Sequence, residues 1–380
     1  MRDTYCSIID HKEDITPEQE EIQRVRMIGG RSSGMSIVDL VEDAWLSAST
    51  EVFDTFRSSL FPKQFREVLE GFHQGHLPDR ATKRCGADSL QKLLSRSVDD
   101  LRAGAALEKL RKEGKKEEIA RIISQKDSGA SSAFLVLPTS PDLVLPPKAA
   151  KVAEKLGAGL INLSGKPCPC GRGNMSLSHV LGCKKMRMVT IRHDLISSIL
   201  LKAMVKAGMV ARWEWLVGGD SSKRMDILLF SGGKKWFDIS VVNPMAPTYV
   251  KAAQEKGGAI KMREASKSLK WESDAKKAEA GFTPIIFEST GRRSEHVKQL
   301  LSQIAESAMS ITEEDVGSDS KKDQFKSKVV QEITQHLSVS MAHSNALIIE
   351  EAESLAAFKS RPHKLSRRAS VYGNPSFRLF

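Results

Sequence analysis

The chain has 380 residues, 40% of them hydrophobic, and a formal net charge of +11. That length predicts two or three domains, and the positive charge favours nucleic acid as a partner, with a basic protein that binds no anion as the alternative. No apolar run approaches the ~18 residues of a membrane span, and no apolar signal segment opens the chain. The five cysteines are therefore expected in a reducing, intracellular compartment, where clustered cysteines more often bind metal than form disulfides.

Changes in composition and in apolar spacing divide the chain into eight segments. In chain order they are a flexible lead-in (1–35), a helical region (36–126), a proline-containing linker with one short strand (127–167), a cysteine cluster (168–185), an α+β domain (186–310), an acidic linker (311–323), a helix (324–358) and a basic tail (359–380). Within the α+β domain the predicted order is helix, three strands, helix, strand, helix. The last of these helices is expected to begin after Ser294, whose hydroxyl group suits an N-cap.

Four residues with metal-binding side chains lie within one short polar stretch, namely Cys168, Cys170, His179 and Cys183. Thiolates and an imidazole suit a tetrahedral zinc ion, and a site with four protein ligands is structural rather than catalytic. The alternative is that the cysteines are ordinary buried residues and that His179 lies on the surface. The short separation of the four residues favours the zinc site.

A predicted β-hairpin carries two aspartates, Asp226 and Asp238. Two apolar runs flank the sequence Ser-Gly-Gly at 231–233, which is strong turn chemistry. If those residues form the loop, Phe230 pairs with Lys234, and Asp226 stands opposite Asp238. Like charges in that position are destabilising, and a divalent cation such as Mg²⁺, which prefers carboxylate oxygens, would offset the repulsion. The alternative is an Asp226 near the turn and an Asp238 paired with a lysine.

Charged residues on neighbouring elements extend this site. Glu214, on a strand predicted over 210–217, is either an additional ligand or base, or an exposed strand residue. The spacing of Arg263, Lys267 and Lys270 puts them on one face of a basic helix. There they would either stabilise the charge on a scissile phosphate or contact solvent.

In their joint order these motifs resemble the carboxy-terminal region of site-specific non-LTR retrotransposon proteins of the R2-like type. In that region a zinc knuckle precedes a restriction-like endonuclease of the PD-(D/E)xK superfamily. The resemblance covers residues 130–305. The motifs that carry it are the Cys168-Pro-Cys170-Gly, His179 and Cys183 knuckle, Arg192-His193-Asp194, Met225-Asp226 with Asp238, Lys267-Ser-Leu-Lys270-Trp271, and the strand from Phe282 to Gly291.

The resemblance implies a PD-(D/E)xK restriction-like nuclease core with a preceding zinc knuckle and flanking helical regions. It also implies a Mg²⁺-dependent endonuclease that nicks target DNA in the nucleus, with element RNA as a second expected partner. The chain is then expected to be a fragment of a longer retrotransposon protein, or a stand-alone copy of its last part. Two other hypotheses stay open: a catalytically inactive, zinc-containing nucleic-acid-binding module, and a zinc-stabilised protein scaffold.

Residue roles follow from the same resemblance. Ser240 stands where the Asp-x-Lys motif of the superfamily has its active-site lysine. The resemblance therefore implies that Lys267 or Lys270 supplies this lysine. The implied catalytic residues are Asp226, Asp238, Lys267, Lys270 and Glu214, with the two aspartates as magnesium ligands. The implied nucleic-acid contacts are Arg192, His193 and Arg263, although His193 is alternatively a plain surface residue.

Overall fold

The computed structural model describes residues 103–127, 138–163, 165–216, 224–312 and 319–358, together with residues 130, 133 and 136. The chain divides into two compact units, Ile15–Lys115 and the remainder, Met1–Asp14 with Lys116–Phe380. Several predictions fall outside the described residues: the lead-in, most of the helical region before residue 103, the short strand in the linker and the basic tail.

In the smaller unit, residues 103–112 form a helix. One stripe of this helix is buried, including Ala103, Ala106 and Leu110, as expected for a helix with one apolar face. Gly114 follows at φ 70°, a left-handed conformation that ends a helix at little cost in glycine. The described end of the predicted helical region is therefore helical.

The larger unit is a mixed helix and strand structure. Its elements in chain order are α1 (Lys116–Gln125), α2 (Pro147–Ala158), α3 (Leu177–Val180), α4 (Arg187–Lys206), β1 (Ala211–Leu216), β2 (Arg224–Leu229), β3 (Lys235–Val242), α5 (Gly258–Lys277), β4 (Gly281–Glu288), α6 (Glu295–Ile311) and α7 (Asp319–Phe358), with 3₁₀ turns at Pro141–Leu143 and Ala252–Gln254. The order from α4 to α6 is the one predicted. Ser294 caps α6 as expected, because its Oγ accepts a hydrogen bond from the Val297 N–H at 3.2 Å.

The four strands form one sheet in the order β1-β2-β3-β4. The first three strands are antiparallel neighbours, whereas β4 runs parallel to β3. A parallel neighbour needs a long crossover connection, and α5 supplies it between β3 and β4. β1 and β4 are the two edges of this sheet.

Helices cover both faces of the sheet. On one face, α4, α6 and α7 pack on the sheet through side chains such as Leu200, Leu301 and Leu337. On the other face, Trp271 and Ala275 of α5 pack on Met225, Leu228 and Trp236. Burying one such large apolar side chain stabilises the fold by about 1.5–3 kcal/mol, so the sheet and its helices hold each other in place.

Two helices differ from the predicted segments. The prolines near residue 146 suggested a linker, but Pro147 starts the helix α2, because proline fits the first helical turn. The sequence after it is rich in alanine and lysine, which favour helix, and Gly159 ends α2 at φ 74°. The predicted helix at 324–358 is confirmed, but α7 begins earlier, at Asp319. No helix in the described part of the chain is long and apolar enough to cross a membrane.

Candidate metal centre and carboxylate site

The Cys3His cluster consists of Cys168, Cys170, His179 and Cys183, and the ligand atoms of all four lie within 4.8 Å of one another. The Cys168 and Cys183 sulfurs are 3.8 Å apart, and the Cys170 sulfur lies 3.2 Å from His179 Nε2. Three thiols and an imidazole at these separations fit the donor set of a structural zinc site. Among the described residues it is the only group of three or more cysteine, histidine or acidic side chains so close together.

The local fold explains why these four side chains converge. The Cys168 N–H donates to the Gly173 carbonyl, and Gly171 adopts φ 71°, so the chain turns tightly around Cys170. The short helix α3 then presents His179 to the same point. The Cys183 N–H donates to the Val180 carbonyl at 3.3 Å, in the turn that follows α3. Two tight turns and the short helix between them therefore gather the four ligands.

The two neighbouring thiols of the cluster have different acidities. Burial raises the pKa of the Cys168 thiol to about 11. The Arg172 N–H donates to the Cys170 sulfur at 3.3 Å and lowers the pKa of that thiol. A bound zinc ion would favour the thiolate form of both, because zinc deprotonates its cysteine ligands.

The Cys3His cluster is joined to the rest of the unit by hydrogen bonds and by apolar contacts. Asn243, just after β3, donates from Nδ2 to the carbonyls of Leu177 at 3.2 Å and Ser178 at 2.8 Å, next to His179. Apolar side chains of α7, including Ile349, pack in the same core as the buried cysteines. The cluster is therefore packed into the larger unit.

Arg192 is buried rather than available to nucleic acid, which corrects the prediction that it contacts DNA. Its side chain is 1% exposed. Its Nη1 donates to Asn345 Oδ1 at 2.7 Å, and its Nη2 donates to the Leu181 carbonyl at 2.8 Å. Arg192 thereby links α4 to α7 and to the end of the Cys3His cluster. The sequence motif identified an important residue, but its role is structural.

Replacing Arg192 with methionine should destabilise the protein without weakening its affinity for DNA. The change leaves the Asn345 and Leu181 oxygens buried without a donor, so we expect the free energy of unfolding to fall by about 2 kcal/mol in urea titrations. Arg187→Met, at an exposed position of the same helix, is the matched control and should change stability by less than about 0.5 kcal/mol. A loss of DNA affinity at unchanged stability would contradict this assignment.

The aspartate pair, Asp226 and Asp238, lies at the end of the β2–β3 ladder. This ladder pairs Ile227 with Phe237, in the predicted register, and the two aspartates are the next residues on their strands. The described pairing stops there, and the Asp226 carboxylate accepts the Ile239 N–H at 2.6 Å. The register up to Ile227 and Phe237 was therefore predicted correctly, but the pairing does not extend to Asp226 and Asp238, and each carboxylate has a partner of its own.

His193 of α4 is the partner of Asp226. Its Nε2 lies 3.3 Å from Asp226 Oδ2 and 3.2 Å from the Ile239 carbonyl, and its Nδ1 lies 3.0 Å from Asp194. Desolvation lowers the pKa of His193, but the hydrogen bonds and charges of Asp226 and Asp194 outweigh it and raise the pKa to about 9. His193 is therefore a cation at neutral pH. Its raised pKa stabilises the fold fully below pH 6.5, and this contribution is lost as the pH rises through about 9.

Two residues of α5 are the partners of Asp238. Lys267 Nζ lies 2.5 Å from Asp238 Oδ2, and the Trp271 indole N–H donates to Asp238 Oδ1 at 3.0 Å. The Asp238 side chain is 8% exposed and that of Lys267 is 13% exposed, so water screens this ion pair only weakly. Arg263, one turn earlier, donates to Ser240 Oγ at 3.0 Å.

Two predicted site residues remain, Lys270 and Glu214. Lys270 is exposed, and its Nζ lies 4.2 Å from the centre of the Trp271 ring rather than beside a carboxylate. The backbone of Glu214 lies in β1, but its side chain is outside the described residues, so its role stays a prediction. The structure thus places Lys267 beside Asp238 and His193 beside Asp226.

The arrangement combines two carboxylates with two cations at the end of a strand pair. Carboxylate oxygens can hold a hard divalent cation, and a lysine beside them can stabilise negative charge on a phosphate. Comparison with known proteins finds neither a protein-family model nor a curated protein that matches this chain.

Proposed function

We propose that this protein is a Mg²⁺-dependent DNA endonuclease that nicks its target, with a structural zinc ion in the Cys3His cluster. The observation that carries the proposal is the close pair of Lys267 and Asp238. Asp238 and Asp226 adjoin the last residue pair of the β2–β3 ladder. A lysine beside one of two strand-borne aspartates suits metal-assisted phosphodiester hydrolysis.

Each residue of the site has a distinct role in this proposal. Asp226 and Asp238 would hold Mg²⁺, which when bound polarises the phosphate and lowers the pKa of a coordinated water molecule. Lys267 neutralises the charge that develops on the phosphate oxygens. His193 orients the Asp226 carboxylate through Nε2, and the Trp271 N–H orients Asp238. These hydrogen bonds keep both carboxylates fixed before the substrate binds.

Basic residues around the two centres would bind the DNA backbone. Arg172 in the turn of the Cys3His cluster is exposed, as are Lys184 and Lys185 directly after it. Such contacts neutralise phosphates without reading the sequence, so the affinity should fall steeply as the salt concentration rises. The net charge of +11 agrees with this mode of binding.

Nicking of supercoiled plasmid tests the proposal. The wild-type protein with Mg²⁺ should convert supercoiled plasmid to the open circle, and Asp226→Ala should lose this activity while still binding DNA. Omission of Mg²⁺ with the zinc retained is the matched control and should also abolish nicking. Equal nicking by wild type and Asp226→Ala would remove Asp226 from the mechanism.

A catalytically inactive, zinc-containing nucleic-acid-binding module is the second candidate. It is favoured by one observation: His193 and Lys267 already supply a positive charge to Asp226 and Asp238, so the fold does not need a metal ion to relieve their repulsion. Calorimetric titration separates the two functions. Saturable Mg²⁺ or Mn²⁺ binding that Asp226→Ala removes supports the endonuclease, and DNA binding without it supports the module.

A further inference from the structure

An exposed aromatic ring lies at the tip of the β2–β3 hairpin, where the proposed chemistry does not use it. Phe230 is 38% exposed. The guanidinium carbon of Arg212, on the edge strand β1, lies 5.9 Å from the centre of the Phe230 ring. The Phe230 N–H donates to the Val210 carbonyl at 2.9 Å, and this bond fixes the backbone that carries the ring. We call Arg212 and Phe230 the stacking pair.

Phe230 of the stacking pair directly follows β2, the strand of Asp226, and Arg212 lies on the neighbouring strand β1. Phe230 follows Asp226 by four residues, a distance of about 13 Å along a strand. Alternate strand residues share a face, so Phe230 belongs to the face on which Leu228 packs against α5. Along a nucleic-acid strand, this separation corresponds to at most about four nucleotides at the axial spacing of 3.4 Å per nucleotide.

The surroundings of the stacking pair are mostly basic. Lys234, at the end of the hairpin loop, donates from Nζ to the carbonyl of Ala278, directly after α5, at 3.2 Å. The last turn of α5 adds Lys276 and Lys277, both exposed. One exposed carboxylate, Glu279, follows in the turn, so the positive charges outnumber it.

We propose that the stacking pair binds an unpaired base of the nucleic-acid strand that crosses the aspartate pair. An aromatic ring with an arginine beside it is a sequence-tolerant platform for bases, and the surrounding lysines suit the phosphates. Only a base whose ring face is free can stack in this way, so the preferred substrate contains a single-stranded segment next to the cleavage site. This inference rests on the proposed function, which places a nucleic-acid strand at the aspartate pair, but it does not require that the protein cuts that strand.

Equilibrium binding without Mg²⁺ tests the stacking pair separately from cleavage. The probes are a short fluorescein-labelled DNA duplex and the same duplex with a single-stranded tail, both measured by fluorescence anisotropy. Wild type should bind the tailed duplex more tightly than the blunt one, and Phe230→Ala should lose about tenfold in affinity for the tailed probe alone. Phe230→Trp, which keeps an aromatic ring, should retain the wild-type preference.

Leu269→Ala is the matched control, because Leu269 is an 89% exposed apolar residue on α5 outside the stacking pair. It should leave both affinities unchanged. A fluorescent adenine analogue in the tail should be quenched by wild type and not by Phe230→Ala, which identifies stacking itself. Equal binding of the tailed probe by wild type and Phe230→Ala would overturn the proposal. The proposal would also fail if the wild-type protein self-associates and Phe230→Ala abolishes that self-association. Tail binding by a protein that never cuts would refute the endonuclease and leave the stacking pair standing.

Discussion

Lys267→Ala should lower the rate of plasmid nicking by about 10²–10³-fold, whereas Lys270→Ala should change it less than about threefold. The two lysines share one flank of α5, but only Lys267 reaches a carboxylate, at 2.5 Å from Asp238 Oδ2. Lys270 instead lies over the Trp271 ring. Removing a preorganised positive charge from the reacting phosphate raises the barrier, while removing an exposed one weakens only backbone contacts. Single-turnover nicking with saturating protein measures the difference.

The two lysine variants form a matched pair, because they lie on the same helix and remove the same charge. Lys267→Ala also leaves Asp238 buried without its cation, so the thermal midpoint of each variant is needed, and the assay temperature must lie well below both midpoints. Lys267→Arg keeps the ion pair and serves as a second, folded variant for which nicking should still fall, because a planar guanidinium group cannot occupy the position of an ammonium group. Nicking by folded Lys267→Ala at the wild-type rate would exclude Lys267 from catalysis.

Cys183→Ser should remove the zinc ion and lower the thermal midpoint of the protein by about 6–12 °C. Cys183 is 6% exposed and lies among the apolar side chains that pack the Cys3His cluster onto α7. Zinc binding to such sites contributes directly to folding free energy, and a loss of ~3 kcal/mol shifts the midpoint of a domain of this size by about that much. Metal content by atomic emission and the midpoint by calorimetry measure the two effects.

Cys85→Ser is the control for this change, because Cys85 is not one of the four predicted zinc ligands. It should keep one zinc ion per chain, and a chelator should lower the midpoint of Cys85→Ser and wild type alike but not that of Cys183→Ser. One bound zinc ion and an unchanged midpoint in Cys183→Ser would show that the four residues do not form a zinc site.

The hairpin shows how much of the site local sequence predicts. The Ser-Gly-Gly turn and the alternating apolar residues on either side predicted the register of the β2–β3 hairpin. The observed pairing of Ile227 with Phe237 is in that register, although the pairing ends before Asp226 and Asp238. Gly232 and Gly233 adopt φ 69° and 105°, conformations that other residues rarely tolerate. Turn geometry and strand period are both properties of neighbouring residues, so no distant contact was needed to infer them.

The partners of the aspartates could not be predicted in the same way. Spacing on α5 left Lys267 and Lys270 equivalent, and the choice between them depends on how α5 is rotated against β3. Packing of Trp271 and Ala275 under the helix sets that rotation. His193 and Arg192 are sequence neighbours, yet α4 directs one side chain to Asp226 and buries the other against Asn345. Adjacent helical residues point about 100° apart, so only the packed helix decides which of them reaches the site.

Sequence alone determined the Cys3His cluster, the order of elements from α4 to α6 and the register of the β2–β3 hairpin. All three follow from short-range patterns: ligand spacing, apolar period and turn chemistry. Tertiary structure alone decided that Arg192 is internal, that His193 and Lys267 face the two carboxylates, and that Phe230 and Arg212 form an exposed pair beside the hairpin loop. These are contacts between residues far apart in the chain, and their geometry is fixed by which helix face packs on which side of the sheet.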